Sequence, residues 1–219
     1  MIDWLGPIVL STTGGSESGM VVLCDSEEWL AHPGTVGRPI ADAHVRIIDA
    51  DGADVPTGQD GEVYVRPPSA WPDFTYEGAA DKRAEIDLDG WLTLGDVGHL
   101  DADGFLFLTD RVKDMAIVGG VNVYPAEIEQ CLMSLAGVRD VAVFGIPDED
   151  LGEVLAAHID IDPNTVLTEE DVRDHVRRHL AKYKVPRVVV FDDDLPREDS
   201  GKLFKRRLRD RYWQQRSRI

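Results

Sequence analysis

The chain has 219 residues, which allows one large or two small domains. It is 43% hydrophobic and 29% charged, the balance of a globular protein with a real core, and its net charge of −18 excludes nucleic acid as a general partner. No apolar run approaches the roughly 20 residues of a membrane helix. The start lacks the basic region of a secretion signal. Cys24 and Cys131 lie far apart without metal-ligand spacing and read as two buried thiols rather than a disulfide, which suits a cytoplasmic protein. The charge is uneven: residues 201–219 hold eight Lys or Arg against one acid, Asp210, and the first 200 residues carry 15 basic and 40 acidic groups.

In chain order, Leu5 to Leu10 reads as a turn feeding a buried strand. Ser11 to Gly19 is rich in glycine and hydroxyls and reads as a loop, plain and flexible or open to a nucleotide. Ser26 to Pro39 is a short helical piece ended by Pro33-Gly34, with His32 at the surface. Ala43–Ile48 and Glu62–Arg66 are strands separated by the turn signals Asp51-Gly52 and Thr57 to Gly61. Pro67 to Tyr76 is a loop with several aromatics. Trp91 to Gly98 places Asp96 after a glycine, expected at a strand end; a turn aspartate and a ribose ligand both fit that position. Asp101 to Gly104 turns a hairpin and lacks the spacing of a calcium loop.

The stretch from Asp110 to Glu129 comes next. Charged residues lead into an apolar run, Met115 to Val118, then Gly119-Gly120, then Pro125 at a helix start with Glu127 and Glu129 in the first turn. Its plain reading is a strand, a glycine turn and a helix. Ile128, Cys131, Leu132 and Leu135 share a helical face, with Gly137 as the stop. Strands are expected from Val138 to Gly145, from Val154 to Ile161 and over Val188–Phe191. Thr168 to Asp171 resembles a capping box and opens a helix with Val172, Val176 and Leu180 on one face. His175 and His179 sit one turn apart on it, and without a third ligand they read as a solvated face rather than a zinc site. Lys202 follows Ser200-Gly201 and in isolation is a loop lysine.

Four stretches together resemble the adenylate-forming superfamily of acyl-CoA synthetases, luciferases and peptide-synthetase adenylation domains. Asp110 to Glu129 resembles its hinge motif, with Asp110 where glycine is usual. Ser16-Glu17 matches a Thr-Glu pair, although Thr12-Thr13 stands where the family has an aromatic. Trp91 to Gly98 matches a Trp-x-x-Thr-Gly-Asp-x-Gly motif, with Leu94 in place of the threonine. Leu195 to Arg206 matches the terminal motif, with Glu198 where threonine is common.

The resemblance implies an α+β chain. Residues 1–111 would be the end of the large adenylating domain, with the strands of its distorted β-barrel, and 112–219 the small mobile C-terminal domain. It implies ATP, Mg2+ and coenzyme A as cofactors. Catalytic roles fall to Lys202 and to Glu17, the magnesium ligand; nucleotide and coenzyme contacts fall to Ser16, Asp96, Arg111 and Gly120; Lys113 is the hinge. The activity implied is ATP-dependent activation of a carboxylic acid, fatty-like from the resemblance of Glu27 to Arg38, and its transfer to coenzyme A. The matched region corresponds to less than half of a full synthetase and lacks its phosphate loop. A missing N-terminal half or a homo-oligomer is therefore the expected partner. A non-catalytic binding module, one half of a split ligase and a peptide-synthetase remnant are the alternatives.

Overall fold

The computed structural model describes residues 2–79, 81–199 and 201–216. The chain divides into two units, Met1–Val112 and Lys113–Ile219.

In the first unit a short helix α1 (Ile2–Leu5) precedes the hairpin β1 (Ser11–Gly15) and β2 (Gly19–Cys24). Helix α2 (Ser26–Ala31) follows, opened by a capping box in which the Asp25 carboxylate accepts from the backbone of Glu27 and Glu28. Strand β3 (Arg38–Pro39) pairs with β2 and completes a three-stranded sheet. The second sheet contains β4 (His44–Ile48), β5 (Gly61–Arg66), β6 (Asp87–Leu88), β7 (Trp91–Leu100) and β8 (Leu106–Arg111), with the short helix α3 (Asp81–Glu85) before β6. Its strands pair antiparallel in the order β4-β5-β7-β6, and β8 also pairs with β7. Inward residues at alternate positions, such as Val63 and Val65 or Ile47, meet Val21, Val22, Leu92 and Leu106 in one core. The buried Thr35 hydroxyl fastens the segment before β3 to β8 through a 2.8 Å bond to the Leu106 carbonyl.

Two expectations fail in this unit. Residues 7–10 form no strand, and Ile8 and Leu10 are 69% and 65% exposed, because no other layer of the unit covers them. The hydroxyl-rich loop is instead a hairpin whose strand includes Ser11–Gly15. His32 is also less exposed than expected: it stacks on Phe105 at 3.8 Å and lies 3.2 Å from Asp101.

The 3-10 turn over Val112–Asp114 carries the chain from the first unit into the second, whose first strands are the hairpin β9 (Ala116–Val118) and β10 (Val121–Val123). Gly119 and Gly120 have φ of 57° and 82°, and this two-residue loop needs positive φ at both positions, as a type I′ hairpin does. The glycine turn therefore leads to a second strand before the helix, not directly to the helix. Then come α4 (Pro125–Met133), β11 (Val138–Asp148), β12 (Gly152–Ile161), α5 (Glu169–His179), β13 (Val188–Phe191) and α6 (Lys205–Arg216). The sheet order is β10-β9-β12-β11, with β13 parallel to β12. Strands β11 and β12 are buried on both faces. Val141, Val143, Leu155 and Ile159 face the core built with Ile128 and Leu132 of α4 and Val172 and Val176 of α5. Ala142, Phe144, Ile146, Val154 and Ala156 face Leu195 and Leu208, the latter from α6. Four helix anchors on the first side are fully buried, each worth about 1.5–3 kcal/mol of transfer free energy. Among the described residues no helix is long and apolar enough to cross a membrane.

Candidate active site

Asp96 does not end a strand. It sits inside β7, on a bulge. Glu62 pairs with Val97 and Tyr64 with Thr93, so Leu94, Gly95 and Asp96 stand opposite Val63 alone. Gly95 takes φ 72°, a conformation that suits glycine. The Thr93 hydroxyl accepts from the Gly95 amide at 3.0 Å and donates to Glu62, which holds the bulge from one side. On the other side, Asp96 is the direct cross-strand partner of Arg111 on β8. The Arg111 guanidinium Nε donates to Asp96 Oδ1 at 2.7 Å, and Asp96 is only 14% exposed.

Glu17 reaches the same place from the β1–β2 turn. The buried Ser18 hydroxyl accepts from the Gly15 amide at 3.1 Å and fixes that turn. The Tyr76 hydroxyl donates to Glu17 Oε1 at 3.0 Å. Burial, and then the Glu17 acceptor, push the Tyr76 phenol above its ordinary pKa, so it remains a donor. Glu17, Tyr76, Thr93, Asp96 and Arg111 line one open cavity of about 390 Å³, floored by Gly14 and Gly15. The arrangement combines two carboxylates, a guanidinium, two hydroxyls and close backbone access, a donor set suited to a polar ligand with hydroxyl and phosphate groups.

Of the sequence-derived candidates, Glu17, Asp96 and Arg111 come together here. Ser16 is exposed at the turn and does not line the cavity. Lys113 is exposed in the 3-10 turn, where its carbonyl faces Arg209 at 3.4 Å. Gly120 is exposed at the hairpin tip. Lys202 is exposed at the end of a tight turn, where its carbonyl accepts from the Glu198 amide at 2.9 Å and Arg197 pairs with Leu203. Arg197 anchors that turn to β11 through Asp140. Ser200, part of the same motif, lies outside the described residues.

The family model for AMP-binding enzymes matches residues 1–72, and the model for the AMP-binding enzyme C-terminal domain matches residues 127–202. The chain belongs to the AMP-binding, adenylate-forming enzymes. It is 45% identical over 205 residues to a 3-[(3aS,4S,7aS)-7a-methyl-1,5-dioxo-octahydro-1H-inden-4-yl]propanoyl:CoA ligase of Mycobacterium tuberculosis, covering 93% of this chain and 38% of that protein. It is 38% identical to a long-chain-fatty-acid–CoA ligase of Yersinia pestis, covering 94% of this chain and 36% of the relative. Among solved structures, the amide bond synthetase McbA from Marinactinospora thermotolerans is similar with a TM-score of 0.86 at 33% identity, covering 96% of this chain and 43% of that one. ATP-bound MatB from Rhodopseudomonas palustris gives 0.84 at 33% identity, covering 94% and 41%. The chain thus spans well under half the length of these relatives.

Within this AMP-binding chain, two cavity residues escaped sequence reasoning. Thr93 adjoins the position where the family motif has its threonine, and its hydroxyl secures the bulge. Leu94 occupies the motif position itself, so the hydroxyl comes from the residue before it. Tyr76 lies 59 residues from Glu17, and no local signal links them. The Thr12 hydroxyl, near the absent aromatic, is instead bonded to the Val22 carbonyl at 3.0 Å.

Proposed function

We propose that this chain is the C-terminal part of an AMP-forming ligase that activates a carboxylic acid with ATP and passes it to coenzyme A. The cavity that gathers Glu17, Asp96 and Arg111 carries this reading. Residues 1–111 are the end of the large adenylating domain and 112–219 its small C-terminal domain. In this assignment a carboxylate oxygen of the acid attacks the α-phosphorus of ATP. The bond to pyrophosphate breaks and an acyl-adenylate forms. The coenzyme thiol then attacks the acyl carbon, loses its proton and expels AMP.

Asp96 accepts hydrogen bonds from the ribose diol, while Arg111, fixed by that same carboxylate, presents its remaining donors to nucleotide oxygens. Glu17 fits a magnesium ligand: it is a hard oxygen donor, and Tyr76 occupies only one of its roughly four lone-pair positions. Bound magnesium would neutralise phosphate charge. Lys202 supplies the cation for the two anions that meet in the first step; by analogy with other lost electrostatic stabilisers, its removal is worth on the order of 3 kcal/mol or more. Gly120 lines the coenzyme path in the second step, and Lys113 is the pivot between the two. The relatives named for long-chain fatty acids, and the resemblance over Glu27 to Arg38, favour a fatty-like acid.

The test is ATP-dependent acyl-CoA formation by the purified chain with mixed carboxylic acids, alone and with the N-terminal portion of a relative. Turnover that Lys202→Ala abolishes supports the reading. The limited share of its relatives that the chain spans favours a second reading, one half of a split ligase. That reading predicts turnover only with the added portion. Absence of turnover in both arms refutes catalysis and leaves a binding module.

A further inference from the structure

His175 and His179 do not form a solvated face. His175 is buried at 8% exposure, and a third ligand atom stands beside the pair: Cys131, from the facing helix α4. One ligand atom from each of Cys131, His175 and His179 lies within 4.8 Å of the others. We propose that these three side chains form a binding site for a soft or borderline divalent cation, of which zinc is the best match, joining α4 to α5.

The chemistry of the set favours it. Thiolate and imidazole are the ligand types zinc takes, and three of them from facing helices, two at i and i+4 on one helix, leave room for a solvent molecule as fourth ligand. Zn–S and Zn–N bonds of about 2.3 and 2.0 Å place tetrahedral ligand atoms about 3.3–3.7 Å apart, so the triad, already within 4.8 Å, needs to close by no more than about 1.5 Å. His179 is exposed and can make that adjustment, and it leaves an entry path for the ion. The outer partners are already present. His179 Nδ1 lies 2.8 Å from the His175 carbonyl, so that nitrogen donates and Nε2 carries the lone pair. His175 Nε2 is held by the Cys131 carbonyl at 3.1 Å and the Ser134 hydroxyl at 3.0 Å, which fix the ring. Half-buried Cys131 lies in the last turn of α4 beside this network.

The scaffold does not depend on the ion. Ile128, Leu132, Val172 and Val176 pack α4 and α5 on the sheet by themselves. Binding converts the Cys131 thiol to a metal thiolate and releases its proton to solvent; both histidines bind as neutral imidazoles. The two helices are then joined by coordinate bonds as well as by packing.

The experiment is titration of the full chain with cobalt as the spectroscopic probe, followed by displacement with zinc. One equivalent of cobalt should give a thiolate-to-metal charge-transfer band with tetrahedral d–d bands, and zinc should remove both. Zinc should also raise the unfolding midpoint in a concentration-dependent way. Cys131→Ala should abolish the charge-transfer band, and His179→Ala, at an exposed position that leaves the core intact, should weaken zinc binding at least tenfold. Magnesium, a hard cation, should not compete. No charge-transfer band, a band that persists in Cys131→Ala, or zinc affinity unchanged by His179→Ala would overturn the proposal.

Discussion

Removing the Asp96 carboxylate separates nucleotide binding from folding. The Asp96 carboxylate pairs with Arg111 at 2.7 Å, and Arg111 is 43% exposed. An ion pair with so exposed a cation contributes about 0–1 kcal/mol, so loss of that pair in Asp96→Ala should cost the fold little beside its effect on binding. Binding is different. Two ribose hydroxyls donating to a charged acceptor contribute about 1.5–3 kcal/mol each, and even the low end of their sum, roughly 3 kcal/mol, is more than about a hundredfold in affinity. Loss of Asp96 also releases the Arg111 side chain that the carboxylate orients. Asp96→Asn keeps one acceptor oxygen and should lose on the order of tenfold. The assay is calorimetric titration with AMP, beside urea unfolding of the same samples. If the parent chain binds AMP and Asp96→Ala binds it within about threefold, with unchanged unfolding, the ribose assignment is wrong. If the parent chain itself does not bind AMP, the cavity of the first unit does not suffice to hold a nucleotide.

Four further outcomes follow from the structure. Tyr212→Phe keeps the ring against Phe144 but leaves buried His158 Nε2 without its 2.9 Å partner, and should cost about 1–3 kcal/mol in the urea unfolding of the second unit. Thr168→Ala removes the capping-box acceptor at the start of α5 and should cost about 1 kcal/mol by the same measurement; a change below a few tenths would mean the cap is not used. Burial holds the Glu153 carboxyl above the usual carboxylate range despite the Ile117 amide and Arg209, so its contribution is present at acid pH and is lost as pH rises through the raised value. Glu153→Gln should therefore be more stable than the parent at neutral pH and match it at acid pH, and the opposite trend would disprove the sign. Finally, Trp4, Ile8, Leu10 and Leu30 are each at least 56% exposed, so the isolated chain should self-associate in light scattering, and a monodisperse monomer would contradict that.

Much of the local design was readable beforehand. Thr168 with Asp171 announced the start of α5, and Gly119-Gly120 announced a turn, because capping and positive φ are properties of a few adjacent residues. The second strand after that turn was missed, since Val121 to Val123 is too short to show alternation and gains its place only by pairing with β9. Asp96 and Arg111 were visible through the family motifs, but their contact comes from the β7–β8 register across 15 residues of chain. Tyr76 and Thr93 entered the site for the same reason: one through a loop folded back onto Glu17, the other through a bulge created by strand pairing.

The sequence by itself determined where the chain turns, which segments alternate or cap, and which charged residues follow glycine, all of which depend on neighbours along the chain. The tertiary structure decided what those residues meet. The apolar runs of β11 and β12 became strands covered on both sides only because α6 occupies one face and α4 and α5 the other. His175, polar and on a charged helix, became buried because its ring meets Cys131 of α4 and Ser134 just after it, a contact across more than 40 residues that no local pattern encodes.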